Sequence, residues 1–268
     1  MRTILITGAT DGLGRELAAR LAAAGDLVIV HGRDPGRVRE ARERAGGRTE
    51  GIVADLAELH QVERMAAELR ERFDRLDVLV NNAGVAGGKP SSGRRESADG
   101  IELCFAVNYL AGYHLTRRLA PLLTASAPAR VVNVASAGQQ AIDFDNPMLT
   151  TGYSRQRGYA QSKLAQIMFT FDLAEELAGT GVTVNALHPA TFMDTSMVRE
   201  AGVRPISSVG EGTAATLRLV DELDGVTGRY FDQRRESRAD AQAYDVEARK
   251  RLRRLSDDLI AGAFSGNS

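Results

Sequence analysis

The chain has 268 residues, 43% of them hydrophobic and 26% charged, with a formal net charge of -1. That length suits one α/β domain, and the composition excludes a disordered or fibrous chain. The near-neutral balance supplies no global field for nucleic acid or an anionic membrane, so neither is an expected partner and any anion site must be local.

In chain order, residues 3–7 predict a strand, 12–24 a helix, 27–30 a strand and 35–45 a helix. Residues 51–54 and 78–80 predict two more strands around a helix at 58–73. A Gly/Pro/Ser loop at 87–93 follows, a plausible rim of a ligand crevice. Then come a helix at 98–124, a strand at 130–134, a helix at 158–178, a strand at 182–187 and a helix at 209–222. A charged helix near 240–261 closes the chain, with Val246, Arg249, Leu252, Leu255 and Leu259 as its inward seam. The strands are apolar on both faces and the connections are long enough for parallel crossovers. The expectation is a single α/β domain over 1–268, a doubly wound parallel sheet of about seven strands with helices on both faces.

Cys104 is the only cysteine, which excludes an internal disulfide and a cysteine-based zinc site. His31, His60, His114 and His188 show no ligand spacing, so no metal is expected. No apolar run reaches the roughly 18 residues of a membrane span, and no secretory leader is evident, so a cytoplasmic location is expected. Lysine occurs only at Lys89, Lys163 and Lys250.

The first strand runs into Gly8, Ala9, Thr10, Asp11, Gly12, Leu13 and Gly14. Glycines at a strand-to-helix switch let backbone N–H groups approach a pyrophosphate. The second strand ends at His31-Gly32-Arg33, where an NAD site would usually carry a carboxylate for the ribose hydroxyls. A guanidinium can instead hold a 2'-phosphate, which favours NADP(H) over NAD(H).

At this point the chain resembles the short-chain dehydrogenase/reductase family, with a Rossmann-type fold. The resemblance covers nearly the whole chain and takes the motifs in order: residues 7–14, Asp55-Leu56, Asn81-Asn82-Ala83-Gly84, Asn108, Ser136, Tyr159-Ala160-Gln161-Ser162-Lys163, and His188-Pro189. It implies that Asp55 and Leu56 flank the adenine, and that Asn82, Ala83 and Gly84 support the cofactor ribose. Pro189 is followed by Ala190 where the family usually has glycine. Thr191 or Thr195 supplies the hydroxyl near the carboxamide, and the sequence leaves that choice open. The closer resemblance is to the retinol-dehydrogenase-like branch, through the long gap from Ser136 to Tyr159 and the Gly228-Arg229-Tyr230-Phe231 run before a charged helix. Retinoid chemistry is not implied.

Tyr159 and Lys163 are four apart and share one helical face. A free phenol with a pKa near ~10 exchanges protons poorly at neutral pH, and a nearby ammonium favours the phenolate. Ser136, at the ligand-binding edge of the sheet, can steady an oxygen on which charge develops. By the resemblance, Lys163 also holds the ribose hydroxyls and Asn108 a water beside it. The expected reaction is hydride transfer between the nicotinamide and a carbonyl or secondary-alcohol carbon of a lipophilic small molecule, a ketoreductase. Residues 139–153 and 190–208 form its variable substrate segments, offering Phe144, Met148, Leu149, Tyr153, Phe192, Met193 and Met197. The competing readings are a nucleotide-binding sensor or scaffold without turnover, and an epimerase or dehydratase that retains its cofactor. A homodimer or homotetramer is expected from the family, unless the last helix covers the usual surface.

Overall fold

The computed structural model describes residues 1–86 and 93–265. Its elements are β1 (Thr3–Ile6), α1 (Gly12–Ala23), β2 (Leu27–Gly32), α2 (Pro35–Ala45), β3 (Arg48–Val53), α3 (Leu59–Arg72) and β4 (Val78–Asn81). Then follow α4 (Ala111–Ala125), β5 (Ala129–Val134), α5 (Arg155–Glu176), β6 (Val182–His188), α6 (Ser196–Glu200), α7 (Val209–Asp221), β7 (Arg229–Asp232), β8 (Arg235–Glu236) and α8 (Val246–Ser265).

One sheet of eight strands runs in the order β3-β2-β1-β4-β5-β6-β7-β8. All neighbours are parallel except β7 and β8. Strand order reverses between β1 and β4, where Ile6 pairs with Val30 on one side and Val80 on the other. A crevice opens at such a switch point beyond the carboxyl ends of the strands. The loops after β1 and β4 therefore meet there.

Alternation along the strands divides the interior into two cores. Ile4, Ile6, Val28, Val30, Val78 and Val80 pack with residues of α1, α2 and α7. Leu5, Ile29, Leu79, Val131 and Val184 face the opposite way and pack with α3, α4 and α5. Helix starts are fixed locally: Asp34 accepts from Arg37 N at 2.7 Å ahead of Pro35, and Ser208 with Glu211 forms a reciprocal capping box on α7.

The sheet has eight strands, against about seven expected, because β7 is followed by the short antiparallel return β8. Three expectations need correction. Residues 98–102 are not helical: Glu96 bridges Glu102, and the chain then passes through a π-helical stretch, Phe105–Leu110, before α4. Residues 240–245 are a short 3-10 turn at Ala241–Tyr244, and the helix proper is α8. Val246 is 49% exposed, whereas Ser256 is fully buried. The inward face of α8 is thus partly polar: Tyr109 Oη and Ser256 Oγ are 2.7 Å apart, and Tyr113 Oη donates to Asp257 at 2.7 Å. Arg253 pairs with Asp172 of α5 at 2.6 Å. The loop expected at 87–93 lies, save for Gly93, outside the described residues.

Candidate active site

The site starts with the glycine loop. Gly8 has φ of +66° and Gly12 φ of +49°, a left-handed backbone that glycine adopts without a Cβ penalty. The ideal Cβ position on Gly8 lies 2.8 Å from Ala83 Cα, so the β1 and β4 loops touch through backbone. Thr7 Oγ1 accepts from the Asn82 and Ala83 amides, each at 3.0 Å, and Asn82 Nδ2 donates to the Thr7 and Gly8 carbonyls at 2.8 and 3.1 Å. Asn82 is therefore a tie between the loops. Leu13 and Leu56 turn their side chains into the interior, leaving only backbone to face a ligand. Asp55 Oδ1 accepts from Ala57 N at 2.9 Å, closing its own turn.

Beneath this loop lies a residue to which the sequence assigned no role. His31, 3% exposed in β2, accepts from Gly8 N at Nδ1 over 3.1 Å, so its proton resides on Nε2, which donates to Ala54 O at 3.1 Å. Burial pushes its pKa down from 6.5 to about 4, against smaller opposing effects of the Ala54 carbonyl and Asp55. Above pH 6.5 folded and unfolded chains both carry neutral imidazole. Between there and about 4 the unfolded chain takes a proton that the folded chain refuses, so stability falls as pH drops through that window. The loss is on the order of 3 kcal/mol. His31→Gln should flatten this limb, which urea unfolding of both proteins between pH 7 and 4.5 will measure; parallel curves would contradict the assignment.

At the open end of α1, Asp11 caps the helix by accepting from Gly12 N at 2.8 Å and hydrogen-bonds Ser196 Oγ of α6. Burial raises the Asp11 pKa, but Ser196, the Gly12 amide, Arg15 and Arg37 together hold it below the usual range. Thr10 lies against Gly32. Arg33 is exposed just after β2 with no ion-pair partner among the described residues, and the neighbouring Asp34 caps α2 through Oδ1.

The proton-handling groups arise from three elements. Ser136 follows β5, where Gly138 N donates to its Oγ at 3.0 Å. Tyr159 and Lys163 lie on α5, which starts where Ser154 accepts from Arg157 N at 3.2 Å. Burial raises the Tyr159 pKa, the Ser136 hydroxyl draws it partly back down, and Cys104 adds to the rise. Burial lowers that of Lys163 to about 8. The ammonium is 5.7 Å from the Tyr159 ring centroid, so desolvation outweighs it and the phenol stays protonated. Lys163 Nζ donates to Val134 O at 2.9 Å and to Gln166 Oε1 at 2.8 Å. Asn108 sits in the π-helical stretch, a distortion common at functional sites. Its Oδ1 accepts from Val85 N at 2.7 Å, and its Nδ2 donates to Val85 O at 3.0 Å and Ser162 Oγ at 2.9 Å. Gly84 closes the floor: its ideal Cβ position is 3.3 Å from Asn108 Oδ1 and 3.6 Å from Lys163 Nζ.

After β6, Pro189 is buried and His188 Nε2 lies 3.0 Å from Thr191 Oγ1. Thr195 caps α6, accepting from Val198 N at 3.4 Å, and its methyl faces Gly12. The side chains expected in the substrate segments divide. Leu149 is fully buried, Phe144 lies under Arg251 at 4.7 Å, Met148 packs against the core and Met193 lies against Gly212. These four make packing contacts within the protein. Met197 approaches Gly84, and Phe192 is 49% exposed. Among the described residues no group of three or more His, Cys, Asp or Glu could hold a metal, and no helix is long and apolar enough to cross a membrane.

A doubly wound sheet with a glycine loop at its switch point defines a dinucleotide-binding α/β protein. The family model for short chain dehydrogenases matches residues 2–204, and the chain belongs to that family of nicotinamide-binding oxidoreductases. It is 34% identical to human retinol dehydrogenase 13 over 97% of this chain and 84% of that one, which agrees with the retinol-dehydrogenase-like branch. A solved protein from Mycobacterium paratuberculosis superposes with a TM-score of 0.80 at 29% identity, covering 97% of this chain and 94% of the other. The Pseudomonas aeruginosa RhlG/NADP active-site complex aligns with a TM-score of 0.72 at 28% identity, covering 86% and 94%.

Proposed function

We propose that the protein is an NADP(H)-dependent reductase of a lipophilic carbonyl compound, running in reverse as an alcohol dehydrogenase. The observation that carries this reading is the meeting of Tyr159, Lys163 and Ser136 beside the glycine loop, with the phenol kept protonated by burial. The fit of the cofactor rests on the glycine loop at the α1 N-terminus, where a Cβ on Gly8, Gly12 or Gly14 would run into Ala83, Thr195 or the Gly8 carbonyl and push the loop from the close packing that presents its amides. When bound, NADPH would supply the hydride. Tyr159 Oη delivers a proton to the substrate oxygen, Ser136 Oγ donates a hydrogen bond to it as negative charge develops, and Lys163 holds the ribose. Asn108 braces Val85 and Ser162 behind them. Thr191 or Thr195 would hold the carboxamide and Asp55 the adenine. A screen of ketones, aldehydes, quinones and secondary alcohols, read by nicotinamide absorbance, tests the reading; tight cofactor binding without turnover across it would overturn it. Substrate-dependent product with no net cofactor oxidation would instead indicate an epimerase or dehydratase.

The NADP preference rests on Arg33, an exposed guanidinium without an ion-pair partner among the described residues, where a 2'-phosphate would lie. Arg33→Ala is expected to weaken NADPH binding about ten- to a hundredfold, the worth of a charge-assisted contact. NADH affinity should stay unchanged. Equal losses for both cofactors, measured by fluorescence titration, would remove Arg33 from the phosphate site.

A further inference from the structure

Lys163 is 4% exposed, and no carboxylate among the described residues lies within ion-pair distance of its ammonium. Two of its three N–H bonds are taken by neutral acceptors: the Val134 carbonyl at the end of β5, 2.9 Å away, and the side-chain carbonyl of Gln166, 2.8 Å away. Gln166 is itself 4% exposed and lies one turn beyond Lys163, so Tyr159, Lys163 and Gln166 make one stripe along α5.

The acceptor is anchored to the sheet. Thr170 Oγ1 donates to the Gln166 backbone carbonyl at 2.8 Å, Asn133 Nδ2 donates to Thr170 Oγ1 at 2.8 Å, and Asn81 Nδ2 donates to Asn133 Oδ1 at 2.8 Å. That ladder ties this turn of α5 to β5 and β4, the strands that carry Ser136 and the Asn82 loop.

We propose that Gln166 is a positioning residue for the reaction: with Val134 it fixes the Lys163 ammonium and leaves one N–H bond with which Lys163 would hold the ribose. The assignment rests on the oxidoreductase reading. The titratable groups facing Lys163 are Tyr159 on the same helix, Cys104 ahead of the π-helical stretch and His188 at the end of β6. The Cys104 thiol is pushed well up by burial and His188 is pushed down by burial, so both are uncharged at neutral pH. Gln166 is therefore the group through which the ammonium can be tuned without altering a facing ionisable side chain.

The chain has three lysines, so lysine-selective carbon NMR of the free protein can follow each one, with Lys163→Met assigning its signal. Lys163 should titrate at about 8 in the parent protein. Gln166→Met removes an acceptor from a buried cation and should lower that midpoint by about one unit, whereas Gln166→Glu should raise it by at least as much. Shifts of opposite sign support the proposal. No shift, or shifts in the same direction, would overturn it, because a merely structural role disturbs both variants alike. Should Gln166→Met fail to fold, the rise in Gln166→Glu decides. Substrate plays no part in the titration, so opposite shifts in a protein that reduces no carbonyl compound would count against the carbonyl-reductase reading and leave the Gln166 contact intact. Where turnover is found, the alkaline limb of kcat/KM should move in the same senses.

Discussion

Tyr159→Phe is expected to reduce carbonyl turnover roughly a hundred- to ten-thousandfold, the range for loss of a positioned general acid, while the Kd for NADPH stays within about twofold. The substitution removes one oxygen and keeps the ring, which lies half-buried on α5 between Ser136 and Lys163. The contacts proposed to hold the ribose come from Lys163, whose anchors at Val134 and Gln166 do not involve the phenol. Cofactor affinity should thus survive the change, and with it the fold. Stopped-flow turnover combined with fluorescence titration separates the two effects. Near-normal turnover would mean that the proton comes from elsewhere, and the mechanism would fall; loss of cofactor binding together with turnover would place Tyr159 in the binding surface instead.

The groups proposed to do the chemistry were legible because each is tied to a spacing that the backbone converts into geometry. Tyr159 and Lys163 share a face whatever the rest of α5 does, and glycines at a strand end make a loop wherever they occur. What the sequence hid is support, which arises only when distant segments meet. His31 reads as one more residue of an apolar strand until β2 and β1 pair and bring its ring under Gly8. Asn82 also has a role that spacing does not show, since its Nδ2 donates to the Thr7 and Gly8 carbonyls and ties the two loops. In the same way hydropathy alone does not show that Tyr109 and Tyr113 present hydroxyls to the inward face of α8. Burying a serine opposite a phenol satisfies both, so Ser256 goes inward. The β8 return has no signature in the sequence because two residues are too few to carry a period.

The second large effect is expected at Gly14, where space, rather than backbone angle, is the constraint. An added Cβ would collide with the Gly8 carbonyl and lie 2.6 Å from Asn82 Nδ2 and 3.0 Å from Ala9 Cα. Two of those neighbours are backbone, and the third is held at both ends of a short bridge to the Thr7 and Gly8 carbonyls. None can swing aside. Gly14→Ala must therefore push α1 off the sheet or break the Asn82 bridge, at a cost of about 1–3 kcal/mol in stability by the usual penalty for overpacking. Either movement displaces the amides at the α1 N-terminus from the pyrophosphate position, so NADPH affinity should drop at least about tenfold, beyond what the stability loss explains. Gly262 in α8 is the control, since nothing lies within 4 Å of its ideal Cβ position; Gly262→Ala should leave cofactor binding unchanged and raise stability slightly, through helix propensity. Calorimetric titration and urea unfolding of both variants test the pair. If Gly14→Ala retained full affinity, the close approach of loop, helix and cofactor would not be what the glycine serves.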